Sequence, residues 1–155
     1  MLSTEWLLHN IGMNTSSHLS ASSDDLIQQS PAHRAVLNRL QALLPAESVI
    51  TDAAGLRPYE TDGLTAIREL PWVVVLPETE AQVADIVRCC AEHSVPIIPR
   101  GAGTGLSGGA RPHQEGVVLG LSKMSAILDI DPQNRIAKVQ PGVRNLAITQ
   151  AAQAY

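Results

Sequence analysis

Five glycines fall within nine residues in the segment Pro99-Arg100-Gly101-Ala102-Gly103-Thr104-Gly105-Leu106-Ser107-Gly108-Gly109-Ala110. A glycine loses more backbone freedom on folding than any other residue, roughly 0.5–1 kcal/mol against alanine in regular structure. An ordinary surface turn needs far fewer. Such a run predicts a backbone that takes positive φ repeatedly and lets a ligand come close. Successive N–H groups in a loop of this kind form a concave nest with partial positive charge. The oxygens of a nucleotide diphosphate match that nest. Thr104 and Ser107 add hydroxyl donors, and Arg100 adds a charge.

Two common phosphate-binding designs are excluded by what surrounds the loop. Gly103-Thr104-Gly105-Leu106-Ser107-Gly108 fits the spacing of the dinucleotide fingerprint, which requires a helix opening directly after it. Here Arg111-Pro112-His113-Gln114-Glu115-Gly116 follows, and then a strand pattern. The Walker type requires Gly-Lys-Ser/Thr, and the loop has no lysine.

The loop must be held by the elements on either side. Pro31 to Leu44 reads as an amphipathic helix, with Ser30 as N-cap, Pro31 at the first position and Pro45 as the stop. Ser48 to Thr51 suits a short strand, and 52–67 a polar connection. Trp72 to Leu76 is a β-branched strand closed by Pro77. Thr79 and Gln82 form a capping box for a helix ending near His93, with Val83, Ile86, Val87 and Cys90 as its buried stripe. Val95 to Pro99 is a strand leading into the loop, and Val117 to Leu121 another. Ile127–Asp131 and Arg135–Gln140 make a hairpin around Pro132-Gln133-Asn134. Pro141-Gly142 is a turn, and Asn145 caps a last helix expected to be running still at Tyr155. Residues 1–29 are serine-rich and read as a flexible extension, with a short amphipathic helix over 2–11.

Length and composition set the class. A chain of 155 residues with 45% apolar and 3% aromatic residues builds an aliphatic core of one domain. The net charge of −4 and the scattered basic residues are unlike a nucleic-acid binder. No Lys or Arg precedes Arg34, and no apolar run is long enough to span a bilayer, so neither a signal peptide nor a transmembrane segment is expected. Cys89 and Cys90, adjacent on a helix, point apart and read as buried, inert thiols.

On these residues the chain resembles the FAD-linked oxidases that share the fold of vanillyl-alcohol oxidase and p-cresol methylhydroxylase. The resemblance rests on Val73-Val74-Val75-Leu76-Pro77, the helix from Thr79, Pro96-Ile97-Ile98-Pro99-Arg100, the glycine loop and Val139-Gln140-Pro141-Gly142-Val143. Tyr59 to Leu64 and Gly142 to Ile148 are similar to the glycolate-oxidase-type branch of bacterial 2-hydroxy-acid dehydrogenases. The implied fold class is α+β, residues 30–155 being the N-terminal part of a PCMH-type FAD-binding domain, with short strands, packed helices and a hairpin, cut inside a helix.

The resemblance also implies roles. FAD is the cofactor, with Pro77, Arg100, Gly101, Ala102, Gly103, Thr104, Gly105, Leu106, Ser107, Gly108, Gly109, Pro141 and Gly142 around it. Relatives that tether flavin use a histidine within the loop. This loop has Thr104 there and no histidine before His113, so non-covalent FAD is expected. The implied reaction is hydride transfer from the α-carbon of a small 2-hydroxy acid to FAD. The family's catalytic groups lie downstream, so no catalytic residue and no metal ligand is assigned in this chain. Tyr59 and Asp62 are read as structural anchors. Implied partners are other oxidase subunits, including an iron–sulfur subunit, and the implied location is cytoplasmic, peripheral at the inner membrane through those subunits. The competing expectation is a non-catalytic FAD-binding or assembly piece.

Overall fold

The computed structural model describes residues 30–155. The flexible extension and the helix expected over 2–11 lie outside the described residues.

Helix α1 spans Pro31–Leu43, with proline at its start as expected; Ser30 occupies the cap position without a side-chain cap bond. A 3-10 turn at Ala46–Ser48 leads into β1, Val49–Ile50. The stretch expected as a plain polar connection contains a short helix, α2, Ala53–Leu56, and a 3-10 turn, Arg57–Tyr59. Asp52 caps α2 by accepting from the Gly55 N–H at 2.9 Å.

Strand β2, Val73–Val75, is buried on both sides. Helix α3, Glu80–Glu92, carries the expected capping box, with the Thr79 hydroxyl accepting from the Gln82 N–H at 3.2 Å and Gln82 Oε1 from the Thr79 N–H at 3.2 Å. Removing an N-cap hydroxyl costs about 1 kcal/mol. Thr79→Ala is therefore expected to lower the urea unfolding midpoint by an amount equivalent to about 1 kcal/mol, with an unchanged slope. The buried stripe of α3 differs from the expected one. Ile86, Cys89 and Cys90 are inside, Val83 is half-buried, and Val87 is exposed. Helix α1 packs beside α3, which turns the apolar face toward Cys89 and away from Val87.

Strands β3, Ile97–Arg100, and β4, Val117–Gly120, complete a four-stranded sheet in the order β1-β2-β4-β3. β2, β4 and β3 are mutually parallel, and β1 is antiparallel to β2. Both faces are covered. Val73, Val75, Val117 and Leu119 pack with Val36, Leu40, Ile86 and Cys90 on one face. Val74 and Val118 pack with Leu56 on the other, against Ile50, Tyr59, Leu76 and Ile98. Layers on both faces explain why the parallel strands are continuous apolar runs and do not alternate.

The hairpin β5, Ile127–Asp131, and β6, Ile136–Val139, lies outside that sheet. Its turn is tied by Asp131, whose carboxylate accepts from Asn134 Nδ2 at 2.6 Å and from the Asn134 N–H at 3.0 Å. Those bonds hold the Asp131 carboxyl below its usual range. Helix α4 runs Asn145–Ala152. The cap position belongs to Arg144, one residue earlier than expected, and the helix ends before Tyr155. The N–H groups of Gln153 and Tyr155 bond three residues back, to Gln150 and Ala152, which tightens the last turn out of α-helical geometry.

Candidate functional site

In a parallel sheet, ligands collect at the carboxyl ends of the strands. Here those ends carry most of the residues singled out in the sequence. Pro77 follows β2, the glycine loop follows β3, and Leu121 to Met124 follow β4. The Leu121 N–H donates to the Arg100 carbonyl at 2.9 Å, so the loop departs beside the end of β4.

The Pro141-Gly142 turn reaches the same edge. The Gly142 N–H donates to the Met124 carbonyl at 2.8 Å, and a Cβ on Gly101 would lie 3.9 Å from the Pro141 carbonyl oxygen. The structure thus brings together three segments, the loop, the 121–124 turn and the Pro141-Gly142 turn, each about 20 residues from the next along the chain. Pro77 is fully buried, so its ring shapes this edge from within.

The glycines of the loop are placed for reasons that differ in part from expectation. Positive φ occurs at Gly103 (71°) and Gly108 (73°) and at no other glycine among the described residues. Gly105 and Gly109 are glycine at points where a Cβ would enter open space. Thr104, Gly105, Leu106 and Ser107 are exposed. Among the described residues, no backbone N–H from Gly101 to Gly109 donates a hydrogen bond, and neither does the hydroxyl of Thr104 or Ser107. Such a row of donors fits a diphosphate. After the loop comes a turn and then β4, without an intervening helix.

Segment 58–64 forms the floor under the loop. The Arg100 side chain is buried and points down into it, with Nη1 donating to the Thr61 carbonyl at 2.7 Å and Nη2 to the Pro58 carbonyl at 3.4 Å. Its guanidinium carbon lies 5.5 Å from the centre of the Tyr59 ring. The buried Asp62 carboxylate accepts from the Leu64 N–H at 2.9 Å and from the Ala110 N–H, at the loop's far end, at 3.4 Å. A Cβ on Gly63 would stand 2.7 Å from the carbonyl oxygens of both Thr104 and Gly105. Tyr59 and Asp62 are thus anchors, as the sequence suggested. The Arg100 side chain is directed into segment 58–61.

Arg111 and His113 are placed elsewhere. Arg111 makes a half-exposed ion pair with Glu69 at 3.5 Å. His113 lies in the turn before β4, where its Nδ1 accepts from the Glu115 N–H at 3.1 Å. Sequence reading missed Lys123, whose Nζ donates at 2.8 Å both to the buried Ser48 hydroxyl and to Glu78. It straps the start of α3 to the end of the sheet. No spacing rule links three residues so far apart.

The two thiols stay out of this chemistry. Burial pushes the Cys90 thiol up to about 11, with the neighbouring Cys89 adding to the effect, and burial also raises Cys89. At pH 8 that leaves Cys90 about a hundredfold less thiolate than an ordinary cysteine. Iodoacetamide is expected to label both thiols of the native chain slowly and those of the urea-unfolded chain at ordinary rates, as read by mass spectrometry.

A family model described as "FAD binding domain" matches residues 71–155. Glycolate oxidase subunit GlcD of Escherichia coli (strain K12) is 49% identical over 116 residues, which cover 75% of this chain and 23% of that protein. A D-lactate dehydrogenase of Archaeoglobus fulgidus is 43% identical over 94 residues, 60% of this chain and 21% of that one. Among solved structures, p-cresol methylhydroxylase with substrate bound superposes with a TM-score of 0.69 at 31% identity, over 79% of this chain and 25% of that one. The chain therefore spans about a quarter of the length of these proteins. The loop's row of free amide donors, its place at the sheet's carboxyl edge and the match over 71–155 converge, and the chain belongs to the FAD-binding domain family of the FAD-linked oxidoreductases.

Proposed function

We propose that this chain supplies the diphosphate-binding wall of a non-covalent FAD site in an oxidoreductase that acts on a small 2-hydroxy acid of the glycolate or D-lactate class. The single observation behind it is the unpartnered row of N–H donors from Gly101 to Gly109 at the carboxyl edge of the sheet. Gly101 to Gly109 hold the phosphates. Thr104 and Ser107 add hydroxyl donors. Pro77, Pro141 and Gly142 shape the walls, and Arg100 supports the loop from below. Bound FAD supplies the acceptor for the α-hydride of the hydroxy acid. The proton-handling groups belong to parts of the longer relatives that this chain does not match. His113, held in its turn, has no part in tethering flavin. The names of the relatives support the substrate class. Assembly with further oxidase subunits, an iron–sulfur subunit among them, and a cytoplasmic place at the inner membrane belong to the same reading. No helix among the described residues is long and apolar enough to cross a membrane.

The test is to purify the full-length gene product and release its flavin by heat. About one FAD per chain, reduced anaerobically by glycolate or D-lactate, is the expected result. A folded, colourless protein that ignores added FAD would reject the proposal.

A second reading, an assembly piece without catalysis, draws on the apolar side chains that β5, β6 and α4 leave exposed, among them Leu128, Ile136 and Leu146. It predicts a folded, FAD-free chain that co-purifies with another oxidase subunit.

A further inference from the structure

Arg100 is the least expected member of the site. It is 9% exposed, and among the described residues no carboxylate lies within 4.0 Å of its guanidinium. Its partners are two carbonyl oxygens and the face of Tyr59. Carbonyl dipoles and an aromatic face satisfy the N–H groups, but among the described residues they leave the unit charge without a carboxylate in ion-pair contact. A buried charge in that condition favours any arrangement that brings an anion near. A Cβ built on Gly103 would collide with the guanidinium carbon and Nη2, so the backbone of the loop lies directly on the cation. The same short stretch of backbone carries N–H groups that donate no hydrogen bond among the described residues. Gly103 has two reasons to be glycine, its φ of 71° and the guanidinium beneath it.

We infer that Arg100 is a positioning residue for the cofactor diphosphate, acting through the loop from beneath Gly103: it fixes the loop on segment 58–61 and lends the nest a full positive charge without touching the ligand. This rests on the reading of the loop as the diphosphate site. It also separates Arg100 from the exposed donors of the same loop, since Arg100 acts through shape and field, whereas Thr104 and Ser107 act by contact. A positive charge in low dielectric is screened little by salt, so the contribution persists at high ionic strength.

The experiment measures the FAD dissociation constant of the full-length protein by flavin fluorescence, well below the unfolding temperature. It compares the parent, Arg100→Lys, Arg100→Met and Gly105→Val, with the unfolding midpoint of each apoprotein alongside. Arg100→Met keeps the apolar stem and removes the charge, and is expected to weaken FAD about 10- to 100-fold, the range for losing one charge-assisted interaction. Arg100→Lys keeps the charge and is expected to recover at least half of that loss on a logarithmic scale, even where its unfolding midpoint falls as far as that of Arg100→Met. A merely structural arginine predicts the opposite, with affinity following the midpoint and lysine no better than methionine. That result, or an Arg100→Met protein that binds FAD like the parent while Gly105→Val does not, overturns the inference and leaves the loop assignment standing. If Gly105→Val also binds FAD like the parent, the loop assignment itself is wrong. Should Arg100→Met fail to fold, Arg100→Gln takes its place as the neutral partner in the comparison.

Discussion

Gly105→Val is expected to fold with little change in stability and to lose FAD by a hundredfold or more. The two halves of that outcome come from different facts. A Cβ at position 105 meets nothing within 4 Å, and the backbone there is outside the left-handed region, so the fold has no objection to a side chain. The same open space is where a diphosphate must come to reach the N–H donors of the loop. Two methyl groups placed there hold phosphate oxygens beyond hydrogen-bonding range. Losing two charge-assisted hydrogen bonds at roughly 1.5–3 kcal/mol each gives the hundredfold or greater effect. The measurements are flavin content after purification and the urea midpoint of the apoprotein. A variant that keeps its flavin places the diphosphate elsewhere. A variant that loses flavin only because it unfolds contradicts the geometry of the loop.

Gly142→Val is expected to fail in the reverse order, losing stability first and flavin as a consequence. A Cβ at position 142 would collide with the Leu121 carbonyl oxygen, and would stand 2.8 Å from that of Met124 and 2.9 Å from that of Ser122. All three are backbone atoms, which do not rotate out of the way as a side-chain tip does. Overpacking of this kind costs about 1–3 kcal/mol, and three obstructed carbonyls with a β-branched residue argue for the upper end, about 3 kcal/mol. The Gly142 N–H bond to Met124 is strained at the same time. The turn then moves away from Gly101 and opens the wall of the site. Calorimetry on the apoprotein reads the stability loss directly. Excess FAD is expected to restore part of it by mass action, which Gly105→Val does not allow. An unchanged unfolding temperature would show that the 121–124 turn yields easily.

These two glycines, with Gly103, illustrate how far the primary structure reaches. Clustered glycines between apolar strands predict a phosphate loop, and the missing helix and lysine argue against the two commonest alternatives. Capping residues and proline stops located α1 and α3 to within a residue or two, because those signals are local and act through backbone geometry. The strands were legible for a similar reason, as β-branched runs closed by proline or glycine.

The reason each glycine is a glycine was not legible. Positive φ was expected along the loop and occurs at Gly103 and Gly108. Gly63 and Gly142 are fixed by backbone from other segments, whereas a Cβ on Gly105 would meet open space. Short α2 was missed because four residues carry no periodicity, although Asp52 three residues before Gly55 was a usable capping signal. The stripe of α3 was misjudged at Val87 because helical spacing gives the width of an apolar face and not the direction of the neighbour that covers it.

By itself the sequence determined the longer elements, the glycine loop between two strands and the family, since each depends on residues close together along the chain. Tertiary structure alone decided that Pro77, Gly101 and Gly142 share one sheet edge, that Asp62 ties the far end of the loop, and that the Arg100 guanidinium lies under Gly103, bonded to the carbonyls of segment 58–61. Those relations join positions tens of residues apart, and the register of three parallel strands, which no local pattern encodes, is what brings them together.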